Sequence, residues 1–303
     1  KLVKDTLQQL SGDYHSSKSF ESIGVVLQLY PNFICHPYSY TMLSSILETL
    51  AAEGYYAQII PVNSRRISVG DFEKMFEQFD IKGLLIQELD SLYDTVPTLS
   101  KLPLPVVRIG DIRDSDDWYC VHSRSRQAGV DAANYLWSMG NRRFGVIYVG
   151  TADLCQELRV NGFLDQVRQL AGKDTQFWMR HIPHMNQTTT VNAAVELNTM
   201  TDPPEAIFCT NSTIARQLVH ELRAVGMRVP EDISVISVED ADELAEAGIS
   251  VIQQPTREMG RLAVQNLLNL LQNKVHVKKE TVLPCNLVIR KSTMLRPLRS
   301  NDK

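Results

Sequence analysis

The feature that most constrains the fold is a regular alternation of short apolar segments with longer amphipathic ones. The segment from Ile23 to Tyr30, IGVVLQLY, has the composition of a buried strand and is followed by Pro31 and Asn32. Residues Tyr38 to Glu53 then place apolar side chains at helical spacing, and Gly54 stands where a C-terminal cap is expected. This alternation predicts β-α-β units and a parallel sheet.

The alternation occurs in both halves of the chain and predicts two α/β units. In the first half we expect strands at 23–30, 57–61, 83–87 and 105–109, helices over 38–53 and 72–79, and a short helix near Leu92. In the second half we expect strands at 144–150, 177–182, 206–209 and 233–238, helices over 125–139, 153–170, 189–200, 212–225 and 257–271, and short strands around Val282 and Leu287. Two such sheets leave a cleft beyond the carboxyl ends of their strands, where open α/β sheets bind ligands.

Composition argues against several classes of protein. The net charge of -4 and the isoelectric point near 6.0 do not suit a surface built to coat nucleic acid. No apolar stretch reaches the roughly 18 residues of a membrane span, and residues 1–20 lack the apolar core of a signal peptide. The 5 cysteines are scattered and form no C-x-x-C pair, which predicts free thiols in a reducing cytoplasm.

Motifs of common enzyme classes are missing from the sequence. We find no G-x-S-x-G, G-x-x-x-x-G-K-[ST], G-x-G-x-x-G or H-E-x-x-H pattern. His181 and His184 are close in sequence but lack a third ligand at a recognisable spacing, so solvated or hydrogen-bonded histidines are expected there. We therefore predict neither an enzyme nor a metal site, and no cofactor.

Polar residues at the ends of the predicted strands are the candidates for a binding site. Asn211 and Glu239 each follow a strand, and Arg159 lies on the helix after residues 144–150. An amide, a carboxylate and a guanidinium in one cleft suit a polyhydroxylated ligand. The candidates for its apolar face are Tyr38, Tyr40 and Trp178. Each polar residue has an alternative interpretation as a helix cap or a surface charge.

One segment carries a strong resemblance to a known family. Residues 203–240 read PPEAIFCTNSTIARQLVHELRAVGMRVPEDISVISVED, and residues 249–260 read ISVIQQPTREMG. This order of strand, Asn-containing turn, Gly-terminated helix and V-P-E-D-I-S-V run resembles the LacI/GalR family of bacterial transcription regulators. Weaker matches, including RVNGF at Arg159 and LVIRKST near the end, extend the resemblance over about residues 20–296.

The resemblance implies a type I periplasmic-binding-protein-like fold, with two Rossmann-like lobes and three crossovers near Ser123, Gln254 and Leu283. It divides the chain into four parts: a hinge or linker remnant at 1–19, an N-terminal lobe (N-lobe) at 20–123 plus 255–282, a C-terminal lobe (C-lobe) at 124–254 plus 283–296, and a tail at 297–303. It also implies a cytoplasmic homodimer whose small-molecule effector, a carbohydrate or a derivative, alters its affinity for operator DNA.

By resemblance, Arg159 and Asn211 match family positions that contact effector hydroxyls, and Gln254 joins Tyr38 and Tyr40 among the expected ligand residues. Glu239 stands where the family usually has Asp, which changes the depth of the pocket. The usual Asp-Asn of the first crossover is replaced by His122-Ser123, followed by Arg124 and Arg126. The two arginines favour an acidic or phosphorylated ligand, or are solvated surface charges.

Family members read DNA with a helix-turn-helix head ahead of this core, and we expect operator binding to need such a domain, missing from this sequence. LQQLSG at residues 7–12 resembles the end of the family's hinge helix, with Leu10 as the minor-groove wedge, or is a plain linker. We predict the effector-binding and dimerisation domain of a transcriptional regulator, most simply a repressor. The alternative is an exported sugar-binding protein of a transport system, which would be a monomer.

Overall fold

The computed structural model describes residues 21–28, 36–62, 69–87, 103–111, 118–149, 154–182, 187–274 and 277–297. The strands in these ranges are β1 (Ser22–Gln28), β2 (Tyr56–Val62), β3 (Ile81–Gln87), β4 (Val106–Ile109), β5 (Tyr119–His122), β6 (Phe144–Val149), β7 (Phe177–Ile182), β8 (Ala206–Cys209), β9 (Ser234–Val238), β10 (Ser250–Gln253), β11 (Glu280–Val282) and β12 (Asn286–Val288). The helices are α1 (Pro37–Ala52), α2 (Val69–Phe79), α3 (Ser125–Ser138), α4 (Leu154–Ala171), α5 (Gln187–Thr199), α6 (Ser212–Ala224), α7 (Asp242–Ala247) and α8 (Thr256–Leu271).

The strands form two 6-stranded sheets. One has the order β11-β5-β4-β3-β1-β2 and the other β12-β10-β9-β8-β6-β7. The pairs are parallel except for β10 with β12, which is antiparallel. The prediction of two parallel α/β lobes is confirmed. The chain passes from one sheet to the other after β5, after β10 and after β11.

Each sheet is covered by helices that bury an apolar stripe. On α1, Met42, Ile46 and Leu50 recur every four residues and are fully buried in the N-lobe core. Helix α8 packs beside α1, and the Ser45 hydroxyl donates to the carbonyl of Arg257 over 2.5 Å. Burying one such side chain contributes about 1.5–3 kcal/mol, so these stripes hold the helices on the sheet.

Two helices of the C-lobe approach so closely that only glycine fits between them. A Cβ atom on Gly129 of α3 would overlap the carbonyl oxygen of Arg159, and one on Gly162 of α4 would overlap that of Arg126. The two backbones are therefore in direct contact, and the position of α4 depends on both glycines.

Three elements were not predicted from the sequence: β5, β10 and α7. Each is only four to six residues long, and none is an uninterrupted apolar run like β8, which has the same length as β5 and β10. The predicted helix near Leu92 and the proposed hinge residue Leu10 lie outside the described residues. Within the described ranges, no helix combines the length and apolar composition that crossing a membrane requires.

The cysteines that the structure describes are free thiols, as predicted: Cys120, Cys155, Cys209 and Cys285. Burial raises the pKa of the Cys120 and Cys285 thiols to about 11. Because the thiolate is the reactive form, the raised pKa lowers the reactivity of these thiols at neutral pH.

Candidate functional site

The structure brings four predicted site residues together at the carboxyl ends of the C-lobe strands. Arg159, on α4, is only 1% exposed. Its Nη1 donates to the carbonyl of Thr210 over 2.8 Å and to Oε1 of Glu239 over 3.0 Å. Its Nη2 donates to Oε1 of Gln254 over 2.9 Å. The guanidinium is thus held on two sides, and its charge is balanced by a buried carboxylate.

Glu239 follows β9 in an unusual backbone conformation. Its φ of 72° lies in the left-handed region that non-glycine residues rarely adopt, at a cost of about 1–3 kcal/mol. Its Oε1 faces Arg159, and its Oε2 accepts from the hydroxyl of Ser212 over 3.1 Å. A strained backbone that places a buried carboxylate in a cleft is typical of a functional site.

Asn211 is both a helix cap and a member of this cluster. Its Oδ1 accepts from the backbone N–H groups of Thr213 (2.9 Å) and Ile214 (3.3 Å), which caps α6. The cap fixes the orientation of the amide, so that Nδ2 lies 3.4 Å from Oε2 of Glu239. The cap expected from the sequence is therefore present, and a ligand contact by Asn211 stays a prediction.

His36 belongs to the cluster and was missed in the sequence. It immediately precedes α1 of the N-lobe, is 7% exposed, and has its Nε2 3.0 Å from Nδ2 of Asn211 and 3.7 Å from Oε2 of Glu239. Pro37 could have pointed to His36 in the sequence, because proline favours the first position of a helix. It therefore places His36 directly before α1, at the end of the helix that faces the cleft. His36 joins the two lobes across the cleft.

The three aromatic candidates are placed differently from one another. Tyr38 is buried in the apolar core of the N-lobe, and Tyr40 is 60% exposed. Trp178 lies on β7 and donates from its indole nitrogen to Glu196 over 2.9 Å. A ligand contact by Tyr38 or Tyr40 stays a prediction.

The arginines of the first crossover are near the surface. Arg126 pairs with Asp165 over 2.7 Å, and both side chains are half exposed. Arg124 is exposed and lines a cavity of about 390 Å³ together with Asp131 and Cys285. Neither Arg159 nor Glu239 lines this cavity, and the exposure of both arginines agrees with their interpretation as surface charges.

The histidine of the first crossover, His122, lies between two carboxylates. Its Nδ1 is 3.1 Å from Oδ1 of Asp111 and its Nε2 is 2.8 Å from Oε1 of Glu280. Burial alone would lower the pKa of His122, but the hydrogen bonds that its ring donates to the carboxylates of Asp111 and Glu280 raise the pKa overall. Asp111 also accepts from the backbone N–H of Ser125 over 3.1 Å, which ties the end of the N-lobe sheet to the start of α3.

Replacing His122 with glutamine should destabilise the protein in a pH-dependent way. The pKa of His122 is higher in the folded protein than in the unfolded chain, where it is about 6.5. Charged His122 therefore stabilises the fold fully below the unfolded-state pKa, and this stabilisation is lost as pH rises through the folded-state pKa. We expect the variant to lose about 1.5–3 kcal/mol near pH 6 and less as pH increases. Urea unfolding at several pH values measures this.

The control for this prediction is His220→Gln, because His220 is exposed on α6. Its effect should be small at every pH. The pKa of Asp111 is lowered in the folded protein, so the stability that Asp111 contributes is lost as pH falls through that lowered pKa. The measurements are therefore made above about pH 5, where Asp111 stays ionised. A loss for His122→Gln that does not change with pH would contradict the assignment.

Among the described residues, no group of three or more His, Cys, Asp or Glu side chains is arranged to hold a metal ion. The buried cluster consists instead of hydrogen-bonding groups of both kinds, placed between two lobes. Such groups can donate hydrogen bonds to a polar organic molecule and accept hydrogen bonds from it.

The two-lobed fold, with a polar cluster between the lobes, is typical of a class of binding proteins. Comparison with known proteins places the chain in the same class. The chain belongs to the family of the periplasmic binding protein-like domain, whose model matches residues 133–293. Within this class it is homologous to the transcriptional repressors of the LacI family, which favours an effector-binding regulator over a transport protein. The HTH-type transcriptional repressor CytR of Escherichia coli strain K12 is 27% identical over 278 residues, which cover 90% of this chain and 80% of the repressor.

Solved structures show the same fold. The Lac repressor dimer bound to operator and the anti-inducer ONPF matches with a TM-score of 0.76 at 19% identity, covering 96% of this chain and 98% of the repressor chain. The complex of the transcriptional regulator CelR with cellobiose also matches with a TM-score of 0.76 at 19% identity, covering 95% of this chain and 90% of CelR.

Proposed function

We propose that this chain is the effector-binding core of a cytoplasmic transcriptional repressor. A small carbohydrate or carbohydrate derivative binds between the lobes at Arg159, Asn211, Glu239 and Gln254, and binding changes the affinity of the protein for operator DNA. The operator is contacted through an N-terminal domain, with residues such as Leu10 in the connecting segment. Homology to the LacI-family repressors supports this assignment.

The observation that carries the proposal is a line of hydrogen bonds from the buried cluster to the passages between the lobes. Arg159 donates to Oε1 of Gln254, and Nε2 of Gln254 donates to the hydroxyl of Ser123 over 2.7 Å. Gln254 lies at the second passage and Ser123 at the first. A ligand that engages Arg159 therefore acts directly on the segments about which the lobes move. Coupling between two sites is typically worth about 1–3 kcal/mol, which is enough for a switch.

We further propose the lobe bounds 20–123 plus 255–282 and 124–254 plus 283–296. The order of the strands supports them, since the chain leaves the first sheet after β5, returns after β10 and leaves again after β11.

We also propose that the protein is a homodimer. Large apolar side chains are exposed on both lobes: Tyr40 (60%) and Leu47 (37%) on α1, and Leu287 (40%) and Ile289 (62%) at β12. The Lac repressor, whose fold this chain shares, is solved as a dimer, and a second copy of this chain would cover part of its exposed apolar surface. Light scattering should give the mass of a dimer, whereas the transport alternative requires a monomer.

Thermal unfolding in the presence of small carbohydrates tests the proposed site. A ligand at about 100 times its dissociation constant adds about 2.7 kcal/mol of stability, which shifts the unfolding temperature measurably. We expect cellobiose, D-ribose or a similar neutral carbohydrate to produce such a shift in the wild type. The shift should disappear in Glu239→Ala and persist in Glu157→Ala, because Glu157 is exposed on the same helix as Arg159. A shift that survives Glu239→Ala would place the ligand elsewhere.

A further inference from the structure

His36 makes the contact that reaches from the N-lobe into the buried cluster. Its Nε2 lies 3.0 Å from Nδ2 of Asn211, and both side chains are buried. The cap on α6 determines which atom of the amide faces the histidine, since Oδ1 of Asn211 already accepts from two backbone N–H groups. Nδ2 is therefore the donor, and Nε2 of His36 must be the acceptor.

The hydrogen bonds of Asn211 leave it no spare donor. An amide nitrogen carries two hydrogens. One is directed to Nε2 of His36 at 3.0 Å and the other to Oε2 of Glu239 at 3.4 Å. A ligand oxygen that accepts from Asn211 must consequently take the place of one of these partners. His36 is the partner on the opposite lobe, so its displacement is the one that a ligand entering between the lobes brings about.

We propose that His36 is a specificity-determining residue, whose Nε2 occupies the position that an effector hydroxyl takes on binding. Nε2 lies 3.7 Å from Oε2 of Glu239, so an atom in its place has a donor on one side and an acceptor on the other. A neutral imidazole nitrogen with a lone pair satisfies only Asn211. A hydroxyl satisfies both, because it accepts from Asn211 and donates to Glu239. This inference rests on the proposed function.

The same geometry disfavours an anionic effector. A phosphate or carboxylate oxygen could accept from Asn211, but it would lie against the Glu239 carboxylate, where like charges repel strongly because water is excluded. The buried guanidinium of Arg159 is directed at Thr210, Glu239 and Gln254, so it compensates an existing charge. The site therefore selects neutral hydroxylated molecules over sugar acids and sugar phosphates.

Calorimetry with matched neutral and anionic probes tests the inference. The pairs are D-ribose with D-ribose 5-phosphate, and cellobiose with cellobionic acid. We expect the neutral member to bind more tightly to the wild type. His36→Ala removes a competing internal hydrogen bond and should tighten that binding about fivefold. His36→Lys places an ammonium beside Glu239 and should shift the preference about tenfold towards the anionic member. His220→Ala, at an exposed position, should change neither the affinity for the neutral member nor the preference between the two members of a pair.

A second measurement needs no ligand. In the full chain labelled with ¹⁵N-histidine, the His36 signals, identified by their loss in His36→Gln, should show hydrogen on Nδ1 and none on Nε2. Hydrogen on Nε2 would overturn this inference and leave the proposed function standing. The inference alone also fails if a neutral probe binds but His36→Ala leaves its affinity unchanged, or if the anionic member binds better to the wild type. If no member of either pair binds, the proposed function fails, and this inference with it.

Discussion

Replacing Arg159 with alanine is expected to lower the free energy of unfolding by about 3–5 kcal/mol. The substitution leaves the Glu239 carboxylate buried without its cation, and it leaves the Thr210 carbonyl and Oε1 of Gln254 without the donor that each now has. Removing one partner of a buried ion pair costs far more than the pair itself contributes, because the remaining charge is desolvated. Urea unfolding followed by circular dichroism measures the loss.

The matched control is Arg126→Ala. Arg126 also pairs with an acidic residue, Asp165, but both side chains are half exposed. Exposed pairs contribute about 1 kcal/mol or less. A similar loss for both variants would mean that the burial of Arg159 has no energetic consequence, and our account of the cluster would be wrong.

Replacing Gly162 with alanine should also be strongly destabilising, by about 2–3 kcal/mol. Glycine to alanine inside a helix normally stabilises by about 0.5–1 kcal/mol, so the expected sign is reversed. The reason is the overlap of the new methyl group with the carbonyl oxygen of Arg126, which has to push α3 and α4 apart. Because Arg159 lies on α4 less than one turn away, the same variant should weaken carbohydrate binding in the thermal-shift assay.

Asn161→Ala is the control for this variant, since Asn161 is the exposed neighbour of Gly162 on α4. It should leave the stability unchanged or slightly increased. Gly129→Ala provides an independent check, because its methyl group would overlap the carbonyl oxygen of Arg159 itself. If both glycine variants were as stable as the wild type, the close contact between the two helices would be refuted.

Much of the fold could be predicted because most elements are long enough to show their periodicity. The predicted strands at 177–182 and 206–209 coincide with β7 and β8, and most predicted helices agree with the structure to within two residues at each end. Strands β5 and β10 contain polar residues, and each pairs with a strand that comes after α8 in the chain, β11 for β5 and β12 for β10. A local pattern carries no information about such pairing.

The candidate site was predictable only in part. The resemblance to a family pointed to Arg159, Asn211 and Glu239, and their hydrogen bonds agree with a shared site. His36 could not be found in the same way, since its partner Asn211 is 175 positions away and belongs to the other lobe. For Asn211 the sequence offered a cap and a ligand contact as alternatives, because it does not show that the cap uses Oδ1 alone and leaves Nδ2 directed at other side chains.

The late position of α8 in the chain affects the order in which the two lobes can fold during translation. The helix supplies Met259, Ala263 and Leu267 to the N-lobe core, yet it is translated after almost the whole C-lobe. At about 5–20 residues per second, the apolar face of β3, β4 and β5 stays uncovered by α8 for about 7–30 seconds. A nascent chain therefore carries an unfinished sheet while its second half folds, and a chain that stops before residue 256 presents that sheet to chaperones and proteases.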